Sequence, residues 1–205
     1  MMILRVKKFQ QQILGWYRTH NRDYLPWRIT KTRSVSPYRI LVSEIMLQQT
    51  QVGRVLQKFP QFIKVFPTIR RLAQVAVRDV LTVWQGMGYN RRAVYLKRAA
   101  EIIVRDYGGR IPDSPSILEK LPGIGPYTAG AIACFAYNKP VAFLDTNIRK
   151  VLIQHFFNDS QRTKDKGQKR LSDAEILPIA ERVVFRKNPR LWHYALMDYG
   201  AMELS

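Results

Sequence analysis

The feature that most constrains this chain is a helical repeat of apolar residues running through nearly all of it, with no convincing stretch of strand alternation. Ile3, Val6, Phe9, Ile13, Trp16 and Tyr17 recur at three- and four-residue steps and predict an amphipathic first helix, stopped near Asn21. Asn21 to Pro37 carries Pro26, Trp27 and basic residues and reads as a loop. A helix from Tyr38 to about Phe59 follows, broken at Pro60. Thr68 caps a short helix over Leu72 and Val75, and Asp79 starts another that ends at Gly86. Arg91 to Tyr107 places Ala93, Leu96, Ala100 and Ile103 on one face and closes at Gly108-Gly109. Ser114-Pro115 starts a helix through Lys120, Leu121 to Gly125 is a tight turn, and Tyr127 to Tyr137 is helical again. Asp145 opens a helix reaching Phe157, and the polar, basic stretch Asn158 to Leu171 reads as a solvated loop. Ser172 and Glu175 form a capping box for a helix over Ile176 to Val184, and a last helix spans roughly Leu191 to Met202. The expectation is an all-α chain of about ten short helices, which need mutual burial to be stable.

Composition bounds the function. Thirty-four Lys and Arg against fifteen Asp and Glu leave a net charge of +19 on 205 residues. A hydrophobic share of 46% excludes wholesale disorder. The single cysteine, Cys134, excludes a disulfide scaffold. No apolar run approaches the roughly 20 residues that cross a bilayer, and the apolar patch at the N-terminus is too short for a signal peptide, so an intracellular protein is expected. A positive surplus of this size favours phosphate contacts through counterion release, which makes nucleic acid the leading partner over a membrane surface or ribosome.

Leu121-Pro122-Gly123-Ile124-Gly125 lies between two predicted helices. Glycines two apart permit positive φ and close backbone approach, and the next helix aims unpaired N–H groups outward, a seat for a phosphate. An ordinary helical corner is the alternative. Glu44 has Ile40, Leu41, Leu47 and Gln48 at helical neighbour spacing, so it shares a largely apolar face. Desolvation there should raise its pKa; an exposed place on the polar side of the helix is the alternative. Asp145 follows Pro140-Val141-Ala142-Phe143-Leu144 at a helix start, where N–H groups and the helix dipole should lower its pKa, although aspartate is also simply a preferred cap. One carboxyl kept protonated and one kept charged is the division of labour that cleaving an N-glycosidic bond requires.

Pro26-Trp27-Arg28, the run Ser43 to Val52, Phe66-Pro67-Thr68, Trp84 to Tyr89, Leu121 to Gly130, Leu144-Asp145-Thr146-Asn147 and Trp192 to Met202 resemble, in order and spacing, the signatures of the adenine DNA glycosylase (MutY) family. The resemblance covers nearly the whole chain. It implies the two-lobed helix-hairpin-helix DNA glycosylase fold, with residues 1–28 and 139–205 in one lobe, 29–138 in a six-helix lobe, the hairpin at 114–137 and the active cleft between the lobes. It implies that Glu44 protonates a flipped adenine, that Asp145 stabilises or captures the sugar cation, and that Asn147 orients that aspartate or a water. It implies that Gln48 and Tyr89 wedge into the duplex, that Trp27, Arg28 and Asp198 border the adenine pocket, and that Leu121, Gly123, Ile124, Gly125, Tyr127 and Thr128 grip the DNA backbone, with a possible monovalent cation on the turn carbonyls. Tyr127 stands where the bifunctional endonuclease III relatives carry a lysine, so a Schiff base and strand cleavage are not expected. His20, His155 and His193 read as structural or surface residues.

Relatives commonly follow the Gly-Ala-Met segment with four cysteines that hold an iron-sulfur cluster. Here Glu203-Leu204-Ser205 follows Met202, so no cluster and no required cofactor are expected. The family's C-terminal domain for recognising 8-oxoguanine is also not found in these residues. Asn90 and Thr146 fall where a second tyrosine and a glycine are expected. The expected activity is monofunctional removal of adenine opposite 8-oxoguanine or guanine in double-stranded DNA, by a monomer. A thymine or uracil glycosylase acting on G·T or G·U pairs, and a non-catalytic helix-hairpin-helix DNA-binding protein, are the alternatives.

Overall fold

The computed structural model describes residues 2–28, 35–157 and 171–204, and these contain eleven α-helices and no strand. The chain divides into two compact units, Asp23–Tyr137 and Met1–Arg22 with Asn138–Ser205.

The first unit holds α2 (Pro37–Leu47), α3 (Val52–Val65), α4 (Ile69–Gln74), α5 (Val77–Trp84), α6 (Arg91–Asp106), α7 (Pro115–Leu118) and α8 (Pro126–Tyr137). Its caps are local. Ser36 Oγ accepts from the Arg39 N–H at 3.4 Å with Pro37 at the first helical position, and Thr68 Oγ1 accepts from the Arg71 N–H at 3.1 Å. α8 is buried from Thr128 to Ala136, which makes it the central helix against which α2 and α7 pack. α3 and α5 bring Phe59, Phe62, Phe66 and Trp84 into the core, with Phe62 meeting Phe66 and Trp84 edge-on at 5.0 and 5.9 Å. Tyr38, whose hydroxyl donates to Phe66 O at 2.7 Å, is held by burial well above the ordinary phenol pKa.

The second unit holds α1 (Met2–Tyr17), α9 (Thr146–Phe156), α10 (Asp173–Val183) and α11 (Pro189–Met202). Of the face its periodicity predicts, α1 buries Phe9, Ile13 and Tyr17 and leaves Ile3 exposed, and Phe9 meets Phe156 and Trp192 edge-on at 5.0 and 5.5 Å. At α10 the predicted cap forms: the Glu175 carboxylate accepts from the Ser172 N–H at 2.7 Å.

Several boundaries differ from the sequence expectation; α5, for one, starts at Val77 and places Asp79 inside its first turn. The helix expected over Tyr38–Phe59 is two helices, interrupted at residues 48–51, and Pro60 lies inside α3. The proline costs α3 one backbone hydrogen bond, and burial of Val55, Phe59 and Phe62 offsets that. The interruption is made from a distance: the Arg92 guanidinium donates to the carbonyls of Ile45, Met46 and Gln48, taking the acceptors that end α2. The α7 helix also ends earlier than expected, at Leu118. The predicted loop after Asn158 lies, through residue 170, outside the described residues.

Candidate active site and hairpin

Glu44 sits on α2, where Tyr38 and every residue from Ile40 to Met46 are buried. It is 4% exposed, so the reading that puts it on a polar helix face does not hold. Nearby, Pro26-Trp27-Arg28 is fastened to α2 and α3 of the same unit. Arg39 donates to Pro26 O at 2.9 Å and lies 5.1 Å from the Phe59 ring, and the buried Trp27 meets that ring edge-on at 5.6 Å. Arg28 is half-buried.

Asp145 caps α9. Its Oδ1 accepts from the Ile148 N–H at 2.6 Å and its Oδ2 from the Asn147 side-chain amide at 3.3 Å. The expectation that this helix start lowers its pKa is corrected. Burial is the larger effect and raises it, against the hydrogen bonds from Ile148 and Asn147 and the charge of Arg22. Two residues not read as functional complete this cluster. Gly200 of α11 lies so close to Asn147 that a Cβ on it would stand 2.6 Å from Asn147 O. Arg22 donates to Asp198 through Nε at 2.6 Å and through its backbone N–H at 3.0 Å. Asp198, assigned by the resemblance to the pocket border, is fully buried, and in this unit its carboxylate orients Arg22. Gly200 lies within the segment that carries the resemblance. Arg22 had no signal in the sequence.

The hairpin runs from α7 through Leu121–Gly125 into α8. Leu121 and Ile124 anchor it in the core, and Gly123 takes φ +78°. Gly125 is exposed and does not need a positive φ. A Cβ on Gly123 would lie 2.8 Å from Tyr95 Cβ, so glycine lets the turn seat on α6. Gln48, expected to wedge into a duplex, here donates its side-chain amide to Gly123 O at 3.1 Å and to the buried Thr128 Oγ1 at 3.2 Å. Tyr89, its expected companion, is 64% exposed at φ +47°. Gln48, Tyr89, Arg91, Tyr95 and Gly123 line one cleft of about 530 Å³. Tyr127, at the start of α8, is half-buried. Among the described residues no three His, Cys, Asp or Glu side chains gather as a metal site would need.

Residues 42–175 match the family model described as HhH-GPD superfamily base excision DNA repair protein. The chain belongs to this superfamily. Within it, the resemblance to adenine DNA glycosylases is borne out: the chain is 47% identical over 140 residues to the adenine DNA glycosylase of Mycobacterium tuberculosis (strain ATCC 25618 / H37Rv), covering 68% of this chain and 45% of that protein. It is 43% identical over 194 residues to that of Buchnera aphidicola subsp. Baizongia pistaciae, covering 95% and 52%. The chain thus spans about half the length of these curated relatives. Among solved structures, a thermostable thymine-DNA glycosylase matches with TM-score 0.83 and 30% identity, over 98% of this chain and 88% of that one. A non-covalent endonuclease III–DNA complex matches with TM-score 0.75 at 15% identity, over 97% and 86%, a likeness of fold. The all-α, helix-hairpin-helix expectation therefore holds for this member of the HhH-GPD superfamily.

Proposed function

We propose that this chain is a monofunctional DNA glycosylase of base excision repair that removes adenine mispaired with 8-oxoguanine or guanine. The mispaired base leaves the stack, since the bond to be cut is inaccessible inside a duplex. Glu44 gives the departing base its proton, and the Asp145 anion stabilises the cationic sugar. Asn147 holds Oδ2 of that anion, and Arg22 favours its charged form against burial. Tyr127 offers a phenol where a lysine amine would attack the sugar, so base release is not followed by strand cleavage. The steps given to Glu44, Asp145, Asn147 and Tyr127 call on no cofactor, and the buried Cys134 could not hold a cluster by itself, since a cluster needs several thiolates. A monovalent cation on the turn would meet Gly123 O, which already accepts from Gln48. Double-stranded DNA is the proposed partner and the acting form is a monomer.

The observation that carries this reading is Glu44: a carboxyl 4% exposed in the heart of an apolar helix, in the segment shared with adenine glycosylases. A structural likeness across 98% of the chain to a thymine-DNA glycosylase supports the second reading, release of thymine or uracil opposite guanine. Duplexes holding A·8-oxoguanine, A·G, T·G and U·G, treated with alkali after incubation, separate the two. Adenine duplexes should be cleaved, and only after alkali. Product from T·G alone would replace adenine with thymine as the target. Glu44→Gln should abolish release while duplex affinity stays within about threefold. Product from none of the four duplexes would leave a non-catalytic DNA-binding protein.

A further inference from the structure

Arg92, the second residue of α6, is 8% exposed and binds two loops that are far apart in sequence. Its Nη1 donates to Ile45 O at 3.2 Å, to Met46 O at 2.9 Å and to Gln48 O. Its Nη2 donates to Thr50 Oγ1 at 2.9 Å and to Met87 O and Gly88 O at 3.2 Å each. The guanidinium also lies 5.6 Å from the Trp84 ring and 5.4 Å from the Tyr89 ring. All six acceptors are neutral oxygens, and two planar faces of contact add to them. A lysine, with a compact ammonium, cannot reach this set.

Among the described residues only Gln49, Tyr89 and Asn138 are non-glycine residues at positive φ. The first two, at +53° and +47°, each directly follow a carbonyl that Arg92 holds, those of Gln48 and Gly88. Such conformations cost on the order of 1–3 kcal/mol each and persist where the surroundings over-determine them. Both strained residues are exposed loop tips, and both loops line the same cleft as the hairpin's Gly123. A guanidinium needed only to end α2 would have no reason to fix the loop between α5 and α6 as well.

We propose that Arg92 is a positioning residue that locks residues 48–50 and 87–89 into one rigid wedge facing duplex DNA. The inference rests on the glycosylase reading and assigns to that machinery a residue buried away from the substrate. Pre-setting both strained tips spares the enzyme from ordering them during base extrusion.

Arg92→Lys and Arg92→Met test this, with 2-aminopurine beside the target base reporting extrusion and single-turnover release measured on a mispaired duplex and on the same base in an unpaired bulge. Both variants should lose at least about tenfold in duplex rate, lose the fluorescence rise, and stay within about threefold of wild type on the bulge. Gln49→Val, whose branched side chain cannot hold φ +53° and so displaces one tip without touching the buried guanidinium, should slow the duplex and spare the bulge, so it carries the test if an Arg92 variant does not fold. Duplex rates at the wild-type level, or equal losses on duplex and bulge in a folded variant, would overturn the proposal. Wild type releasing no base from either substrate would instead sink the glycosylase reading.

Discussion

Asp145 concentrates the opposing demands placed on single residues here. Burial raises its pKa above the ordinary 3.8, so the folded chain binds its proton more tightly than the unfolded chain does. Its contribution to stability is full below pH 3.8 and is lost as pH rises through the folded pKa. Asp145→Asn keeps a good cap and removes that ionisation. It should raise Tm at pH 8, change it little at pH 3.5, and slow base release by at least about 100-fold, as calorimetry and single-turnover assays would show. His193 works in the opposite direction. It is buried, its Nδ1 lies 2.8 Å from Pro189 O, its ring stacks at 4.3 Å on Phe143, and burial lowers its pKa to about 4. The unfolded chain takes up that proton first, so stability is full above pH 6.5 and falls as pH drops toward 4. Complete loss amounts to roughly 3 kcal/mol. Urea unfolding across that range should show the loss, and His193→Gln should flatten it.

For the elements, most boundaries were legible because their signals are local. Thr68, Asp145 and Glu175 bond backbone groups within three residues, and from Phe9 onward the apolar face of α1 supplies its buried residues. What could not be read was where two elements touch. Gly200 has the composition of any helix glycine, yet α11 rests on the first turn of α9 only because it lacks a Cβ. Gly200→Ala should cost about 1–3 kcal/mol by forcing these helices apart. Since the displaced residue is Asn147, base release should suffer more than duplex binding, measured as a fall in kcat at nearly constant KM. Glu44 was legible as a candidate from its spacing, but its 4% exposure follows from α2 being covered on nearly every side, which a helical repeat cannot state.

For the molecule as a whole, the +19 charge makes a prediction independent of any catalytic residue. Affinity for undamaged duplex should fall on the order of a thousandfold between 50 and 200 mM salt, and Glu44→Gln should follow the same slope in a fluorescence-anisotropy titration. A flat response would detach the charge from DNA binding. The amino-acid sequence alone determined the helical class, most caps, the basic surface and the family, because each is written in near-neighbour spacing or in counts that survive any folding. Only the tertiary structure decided that α2 stops at Leu47, that Pro60 stays inside a helix, and that burial outweighs the helix start at Asp145. Those outcomes depend on how much solvent a side chain loses and on which distant group meets it. Neither quantity exists until the chain has closed on itself, as when Arg92 reaches back 44 residues to the carbonyl of Gln48.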